Sequence, residues 1–285
     1  MKKDTLLFLL SAIIFGTNGL IARYINVSSF FLVASRGIIA VVFIWLMLHI
    51  QNKKIDINAV KANYKNLLLS GLALGFMWIF LYTSYNYSVS ISSLINNMAP
   101  TFAVVISAII YKEKLTIKQI LCVTFVLIGV LLVSGILEEE LITSPYAFIF
   151  SFLSLSCFCI NIIINRKMTT INPIDKTLVQ MFISFIIATI ATLITKQIPT
   201  KLDTTSILLM ILLGVLNTGI AYMLYYGSIT TLPAYKISVI CYIEPVVAII
   251  LGVLVLNEKM TILSAIGSVI IIVAACISEL IDTKS

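Results

Sequence analysis

Charge is scarce in this chain. Only 11% of its 285 residues are charged and 60% are hydrophobic, where a soluble domain carries about 25% charged and about 45–50% apolar residues. So little charge cannot furnish a water-facing surface, which excludes a soluble enzyme or binding domain. Over most of its area the solvent of this chain is lipid. Histidine occurs once, as His49, at the edge of an apolar run. The five cysteines, Cys122, Cys157, Cys159, Cys241 and Cys276, all lie inside apolar segments and form no CxxC pair or Cys/His ligand spacing. Neither a disulfide framework nor a metal site is expected, and no cofactor is. HExxH, GxSxG and paired intramembrane aspartates are missing as well, so the common reactive constellations of intramembrane enzymes are absent. There is no linker, no low-complexity stretch and no polar segment long enough for a soluble domain. The net charge of +7 is spread through short gaps and not gathered into the basic stripe that nucleic acid requires. The expected partners are membrane lipid and a small-molecule substrate, with no nucleic acid.

What the chain has is apolar runs. A membrane-spanning helix needs roughly 20 mostly apolar residues. Such runs occur at 5–22, 30–50, 66–87, 90–111, 117–136, 146–165, 176–195, 204–228, 233–256 and 262–281. Lipid offers backbone groups no partners, and the runs lack barrel-type alternation, so helices are required. The expected fold is an all-α integral membrane protein of ten transmembrane helices. The first run is long for a signal-peptide core and ends in no clear cleavage site, so it is read as a retained span. With the N-terminus inside, thirteen of the nineteen Lys and Arg fall in inner segments and four (Arg23, Lys196, Lys201, Lys259) in outer ones. The remaining two, Arg36 and Lys236, fall within spans. This bias predicts both termini in the cytoplasm, with the chain in the cell (inner) membrane.

A shift of 145 residues lays the second half on the first. Pro100 falls on Pro245, Ala103 on Ala248, Glu113 on Glu258, Lys114 on Lys259, Thr116 on Thr261 and Ile117 on Ile262. Asn18 and Arg23 repeat as Asn161 and Arg166 at a slightly different offset. The expected units are residues 1–140, holding spans 1 to 5, and 141–285, holding spans 6 to 10. Five spans per unit is an odd number, so the second unit must sit inverted relative to the first. Inverted repeats place a binding site near the bilayer midplane between the halves, and alternating access follows from rocking one half against the other.

The residues that carry this repeat also carry a resemblance. Phe15 to Gly19 (FGTNG), Ser35 to Ala40 (SRGIIA), Ala99 to Thr116 (APTFAVVISAIIYKEKLT) and Glu244 to Thr261 (EPVVAIILGVLVLNEKMT) resemble the ten-helix, EamA-type members of the drug/metabolite transporter superfamily. The resemblance covers essentially the whole chain as two EamA-like repeats. It implies a transporter with both termini inside and a central cavity walled mainly by spans 3, 4, 8 and 9. It also implies that spans 1, 2, 6 and 7 surround that cavity, with spans 5 and 10 at the back. The family handles amino acids, nucleobases, vitamins, sugars and drugs, so it does not give the substrate. The chain departs from the pattern where Met181 aligns with Arg36 and Cys122 with Gly267. It also lacks the first-span Glu of the four-helix relatives that exchange cationic drugs.

Ionisable residues at membrane depth are expensive and are candidate functional groups. Glu244, just before Pro245 on span 9, can bind a cationic substrate group or take up a proton, or it can be a structural partner of Lys236 or Arg36. Lys236 can hold a substrate carboxylate, or snorkel to the cytoplasmic interface from its place three residues after Pro233. Arg36 can gate the outer entrance or pair with Glu244. Pro100 and Pro245 each remove a helical N–H and bend their spans, a pairing that suits two gates or serves packing alone. Asn96 and Asn97 make span 4 polar, and Asn217 does the same on span 8, for substrate or for interhelical bonding. Trp78, Tyr82 and Tyr85 share a face of span 3, and Tyr222, Tyr225 and Tyr226 cluster on span 8. These two groups form a pocket for an amphipathic solute or belong to the interfacial aromatic belt. The expected substrate-binding set is Trp78, Tyr82, Asn96, Asn97, Tyr222, Tyr225, Lys236 and Glu244. Arg36, Pro100, Glu244 and Pro245 are the gating or coupling set.

An acidic and a basic group beside aromatics suit a zwitterion, so the expected function is export of an amino acid or similar small metabolite. The alternative is transport of a nucleobase-like or amphiphilic drug-like solute, which needs only the aromatics and asparagines. A channel or membrane scaffold is the remote alternative. The apolar backs of spans 5 and 10 face lipid or a second copy of the chain in a homodimer.

Overall fold

A computed structural model of the chain describes residues 3–85, 87, 95, 96, 98–103, 106, 116–133, 145–256 and 261–280. Asn97 and the Glu-Lys pairs at 113–114 and 258–259 lie outside the described residues. The described residues are helical, with no strand among them. Helix α1 (Lys3–Gly16) is followed by α2 (Asn18–Arg23), α3 (Ser29–Ile50), the short α4 (Ile57–Ala62) and α5 (Tyr64–Tyr85). Helix α6 (Ile117–Val133) closes the first half. The second half holds α7 (Pro145–Lys167), α8 (Pro173–Ile194), α9 (Thr204–Leu212), a π-helical segment (Leu213–Ile220) and α10 (Ala221–Ser228). It ends with α11 (Ala234–Cys241), α12 (Ile243–Leu256) and α13 (Ile262–Leu280). Seven helical runs among the described residues are long and apolar enough to cross a membrane, and α6 and α13 contain shorter apolar stretches.

Helix starts follow from capping chemistry. Ser28 accepts the Phe31 N–H ahead of α3, and Asn172 accepts the Ile174 N–H ahead of α8, which opens on Pro173. Asp203 accepts the Ser206 N–H ahead of α9. Each side chain satisfies a donor that a helix start leaves open. Proline fits the first position because its missing N–H has no partner there anyway.

Two sets of connections define the ends of the bundle. At one end, beyond Arg23, the Asn26 N–H donates to Ser206 Oγ and the Ser28 hydroxyl to the Gln197 carbonyl. The rings of Tyr87 and Tyr146 also meet, at 5.5 Å between centroids. At the other, near Lys3, the Asp56 N–H donates to Asp175 Oδ2 and the Asn63 amide to Thr170 Oγ1. These are called the Arg23 end and the Lys3 end.

The packing is preserved when the halves are exchanged. Helix α3 packs on α8, and α6 on α13. Helix α5 packs on α7, just as α1 packs on α10 and the π-helical segment. Because α6 and α13 pair mainly with each other, they form a flank behind α11 and α12. Close approach depends on glycine at two places. A Cβ on Gly16 would lie 2.6 Å from Val247 Cβ and 2.8 Å from the Glu244 carbonyl oxygen. A Cβ on Gly214 would lie 2.5 Å from Ile39 Cγ2. Small residues let backbones meet where no hydrophobic force drives helices together.

Three interruptions depart from a picture of straight spans. The first span, expected to run unbroken, is interrupted at Thr17. Spans 4 and 9 are interrupted at Met98 and Tyr242, two and three residues before Pro100 and Pro245. The Met98 N–H bonds the Ile95 carbonyl and the Tyr242 N–H the Val239 carbonyl, both three residues back. A proline that cannot donate and crowds the preceding turn accounts for this tightening.

Candidate functional site

The interior of the bundle is built around the break in span 1. There the Asn217 amide donates to the Ile14 carbonyl at 2.6 Å and to Thr17 Oγ1 at 2.8 Å. Asn217 and Thr218 sit on the π-helical segment, whose wider turn frees backbone groups that an α-helix would use; such turns frequently mark functional sites. The Thr218 hydroxyl donates to the Leu213 carbonyl and accepts from Arg36 Nε at 2.9 Å. Arg36 also reaches Asn18 Oδ1 at 3.5 Å and lies 4.4 Å from the centroid of the Trp78 ring. Arg36 is 3% exposed. Its charge is met by neutral acceptors and by the electron-rich face of an indole.

The aromatic residues converge on this arginine. Tyr222 meets Trp78 edge-on at 5.8 Å and Phe15 at 4.9 Å. Tyr225 stacks on Phe8 at 5.2 Å. Tyr82 packs against the same cluster, half-buried. The Tyr225 hydroxyl is buried and has no hydrogen-bond partner among the described residues. Glu244 is half-buried on α12, and its carboxylate interacts electrostatically with Arg36, Tyr222 and Tyr225. Trp78, Tyr222, Tyr225 and Arg36 are therefore neighbours, drawn from α3, α5 and α10, with Glu244 of α12 in electrostatic range of them.

The remaining candidate residues fall elsewhere. Asn96 accepts the Ser154 hydroxyl at 2.8 Å and so ties span 4 to α7. Pro100 is buried and Pro245 half-buried. Next to Pro100, Thr101 exchanges hydrogen bonds with Ser238 at 3.0 Å and with the Tyr242 hydroxyl at 2.7 Å. The two interrupted spans are thus joined at their breaks. Lys236 is not in the aromatic cluster. It lines a separate cavity of about 390 Å³ at the Lys3 end with Asp4, Thr5 and Arg166.

A second polar cluster was not singled out from the sequence as a site. Asn161 donates to the Ser70 carbonyl and to Gln180 Oε1, and accepts the Tyr226 hydroxyl. Gln180 donates to Asn165 Oδ1 at 2.8 Å. Lys176, 1% exposed, donates to the Met168 and Asn165 carbonyls at the end of α7. The signal was present: Asn161 and Asn165, and Lys176 and Gln180, are polar pairs four residues apart inside apolar runs. Asn161 served there only as a repeat marker. The structure also revises the register. Arg36 bonds Asn18, and it is Gln180, not Met181, that bonds the equivalent Asn161; Met181 is a buried apolar contact.

A bundle of apolar helices, interrupted around a buried arginine and aromatic rings, has the makings of a solute pathway. The protein is a membrane transporter, and the chain belongs to the EamA-like transporter family, whose pattern it matches twice, at residues 3–135 and 145–279. The drug/metabolite transporter superfamily fits this assignment. The uncharacterized transporter YxxF of Bacillus subtilis (strain 168) is 24% identical over 265 residues, covering 92% of this chain and 85% of that one. The uncharacterized transporter YoaV of the same organism is 25% identical over 244 residues, covering 83% and 82%. One crystal structure of a protein superposes with a TM-score of 0.82 at 16% identity, covering 97% of this chain and 96% of that one, a likeness of fold.

Proposed function

We propose that the protein is a secondary transporter that moves a small metabolite, an amino acid or related solute, across the cytoplasmic membrane by alternating access, in the direction of export. The observation that carries this reading is the packing of Arg36 among aromatic rings with Glu244 in electrostatic range of it, beside the breaks in spans 1 and 9. Opposite charges held apart by aromatic walls suit a solute with one group of each sign. Arg36 would take the carboxylate, Glu244 the ammonium, and Trp78, Tyr82, Tyr222 and Tyr225 the side chain. The buried Tyr225 hydroxyl, unpartnered among the described residues, is available to a solute or to water.

The exchange symmetry of the packing supports two inverted five-helix repeats, residues 1–140 and 141–285, and hence ten spans with both termini cytoplasmic. Rocking about that axis would open the Arg23 end and the Lys3 end in turn. Pro100 and Pro245, joined through Thr101, Ser238 and Tyr242, would act as the paired hinges. Asn96 and Asn97 would extend the polar path along span 4.

The test is counterflow in proteoliposomes with a panel of labelled amino acids, nucleobases and aromatic cations. Counterflow of amino acids that Glu244→Gln abolishes bears the reading out. Counterflow confined to nucleobases or aromatic cations, unchanged in Glu244→Gln and in the double variant Lys236→Gln/Glu244→Gln, overturns it. That result would favour the amphiphile reading, for which the density of tyrosine rings is the supporting observation.

A further inference from the structure

The cavity at the Lys3 end is chemically unlike the aromatic cluster. It holds two cationic side chains, Arg166 and Lys236, one carboxylate, Asp4, and the hydroxyls of Thr5, Thr230 and Thr231 in a volume of about 390 Å³. Lys236 is 6% exposed. The cavity also meets the start of α11, where Pro233 supplies no side-chain cap to the open N–H groups. The positive end of a helix and two cations favour an anionic oxygen group. Thr5 is an independent observation at this cavity. It is 3% exposed and its hydroxyl has no hydrogen-bond partner among the described residues, a state rare among buried polar groups of native proteins.

We propose that this cavity is a second binding site, a vestibule in which the carboxylate of a small zwitterionic solute docks on Lys236, Arg166 and the Thr5 hydroxyl while its ammonium faces Asp4. Volume and charge argue for a small solute over a lipid headgroup. The space accommodates a molecule of metabolite size, and Asp4 would repel a purely anionic headgroup. The site lies at a mouth of the bundle and the aromatic cluster inside it, so the vestibule would load or discharge the pathway. It rests on the transport reading for the fate of the solute, not for whether the solute binds.

The experiment is a thermal-unfolding titration of the full chain in uncharged maltoside micelles, with glycine, acetate, methylamine and phosphatidylethanolamine as separate probes. A ligand that binds only the folded state raises the midpoint in proportion to its occupancy. Glycine should raise it at lower concentration than acetate, and methylamine should be weakest. Lys236→Gln should weaken glycine at least about tenfold, and Lys236→Arg should retain it, as expected for one charge-assisted hydrogen bond. Thr5→Val keeps the fold testable if Lys236→Gln does not assemble. Deleting an unpartnered hydroxyl leaves the ligand-free protein as stable or more so, yet should weaken glycine about threefold. Three results overturn the proposal: no response to glycine, a response that Lys236→Gln and Thr5→Val both leave unchanged, or stabilisation by phosphatidylethanolamine alone. The part of the glycine response that Lys236→Gln and Thr5→Val remove belongs to the vestibule, and any part that Glu244→Gln removes belongs to the aromatic cluster, so the two readings can fail separately.

Discussion

Arg36 and Gln180 stand in equivalent places near opposite ends of the bundle, each seven residues on from the first residue of its helix, Ser29 and Pro173. Each bonds the asparagine that repeats between the halves, Asn18 for Arg36 and Asn161 for Gln180. One position carries a full charge and the other a neutral amide. The difference follows the opposing helix. Glu244 interacts with Arg36, whereas its counterpart at the 145-residue shift is Ala99, which brings no charge. A buried cation is tolerated where an anion and an indole face compensate it, and elsewhere a neutral network is the cheaper arrangement. Among the described residues, one cluster thus holds Arg36 among aromatic rings and the other is a lattice of amides, bordered by Lys176 on the Met168 and Asn165 carbonyls.

Removing the charge from one side alone should have the largest effect. Arg36→Leu leaves Glu244 without its cation and is expected to destabilise the protein by about 3 kcal/mol. Adding Glu244→Gln should restore at least half of that. Unfolding in mixed micelles measures all three variants, and strictly additive losses would show that the two residues do not act on each other. In the amide lattice, Asn161→Leu removes the bonds to the Ser70 carbonyl, Gln180 Oε1 and the Tyr226 hydroxyl together. Three interhelical bonds at membrane-protein values sum to about 2 kcal/mol. A loss no larger than that of Asn165→Leu would mean the lattice is not organised around Asn161.

The third contrast is steric. At the shorter repeat offset shown by Asn18 and Asn161, Gly16 corresponds to Cys159. Gly16 lets α1 close on the Glu244 carbonyl, while the Cys159 thiol donates to the Ala99 carbonyl at 3.3 Å. Gly16→Ala should therefore destabilise by about 1.5 kcal/mol through overpacking. Cys159→Ala, which loses only a weak donor and a small volume, should cost less. Equal effects on the unfolding midpoint would dissolve the distinction between the two contacts.

Much of the frame could be read before any coordinates. Apart from the short α4, which no run foresaw, the apolar runs anticipated the outer ends of the described helical stretches to within about three residues, because lipid leaves helix as the only open structure for them. The prolines marked the breaks in spans 4 and 9. The break at Thr17 was not read from the sequence, although Gly16, Asn18 and Gly19 flank it, because it is held by Asn217 reaching across from the other half. The π-helical segment escaped for the same reason: nothing in Leu213–Ile220 signals a widened turn except two glycines, Gly214 and Gly219. Among the candidate residues, Trp78, Tyr82, Tyr222, Tyr225 and Arg36 lie together with Glu244 in electrostatic range, but Lys236 lies in another cavity. Two turns of helix and the break at Tyr242 separate it from Glu244, and spacing along a chain does not disclose which way a broken helix turns.

The smallest expected effect concerns the helix caps at the two ends. Helix α8 starts at the Lys3 end under Asn172, which does not titrate. Helix α9 starts at the Arg23 end under Asp203, whose carboxylate accepts the Ser206 hydroxyl at 2.7 Å and the Ser206 N–H at 2.9 Å. These bonds hold the Asp203 carboxyl below the usual aspartate range. A depressed folded-state pKa contributes stability above the unfolded value and loses it as pH falls through the folded one. Acidification should therefore weaken the Arg23 end through this group while leaving the Asn172 cap untouched. Asp203→Asn keeps a good capping side chain and removes the titration. The wild-type midpoint should exceed that of Asp203→Asn at neutral pH, and the gap should close below the aspartate range. Because the side chain is exposed, added salt should shrink the gap at neutral pH as well. A gap that stays constant across the aspartate range would show that the cap acts through its geometry, as Asn172 does.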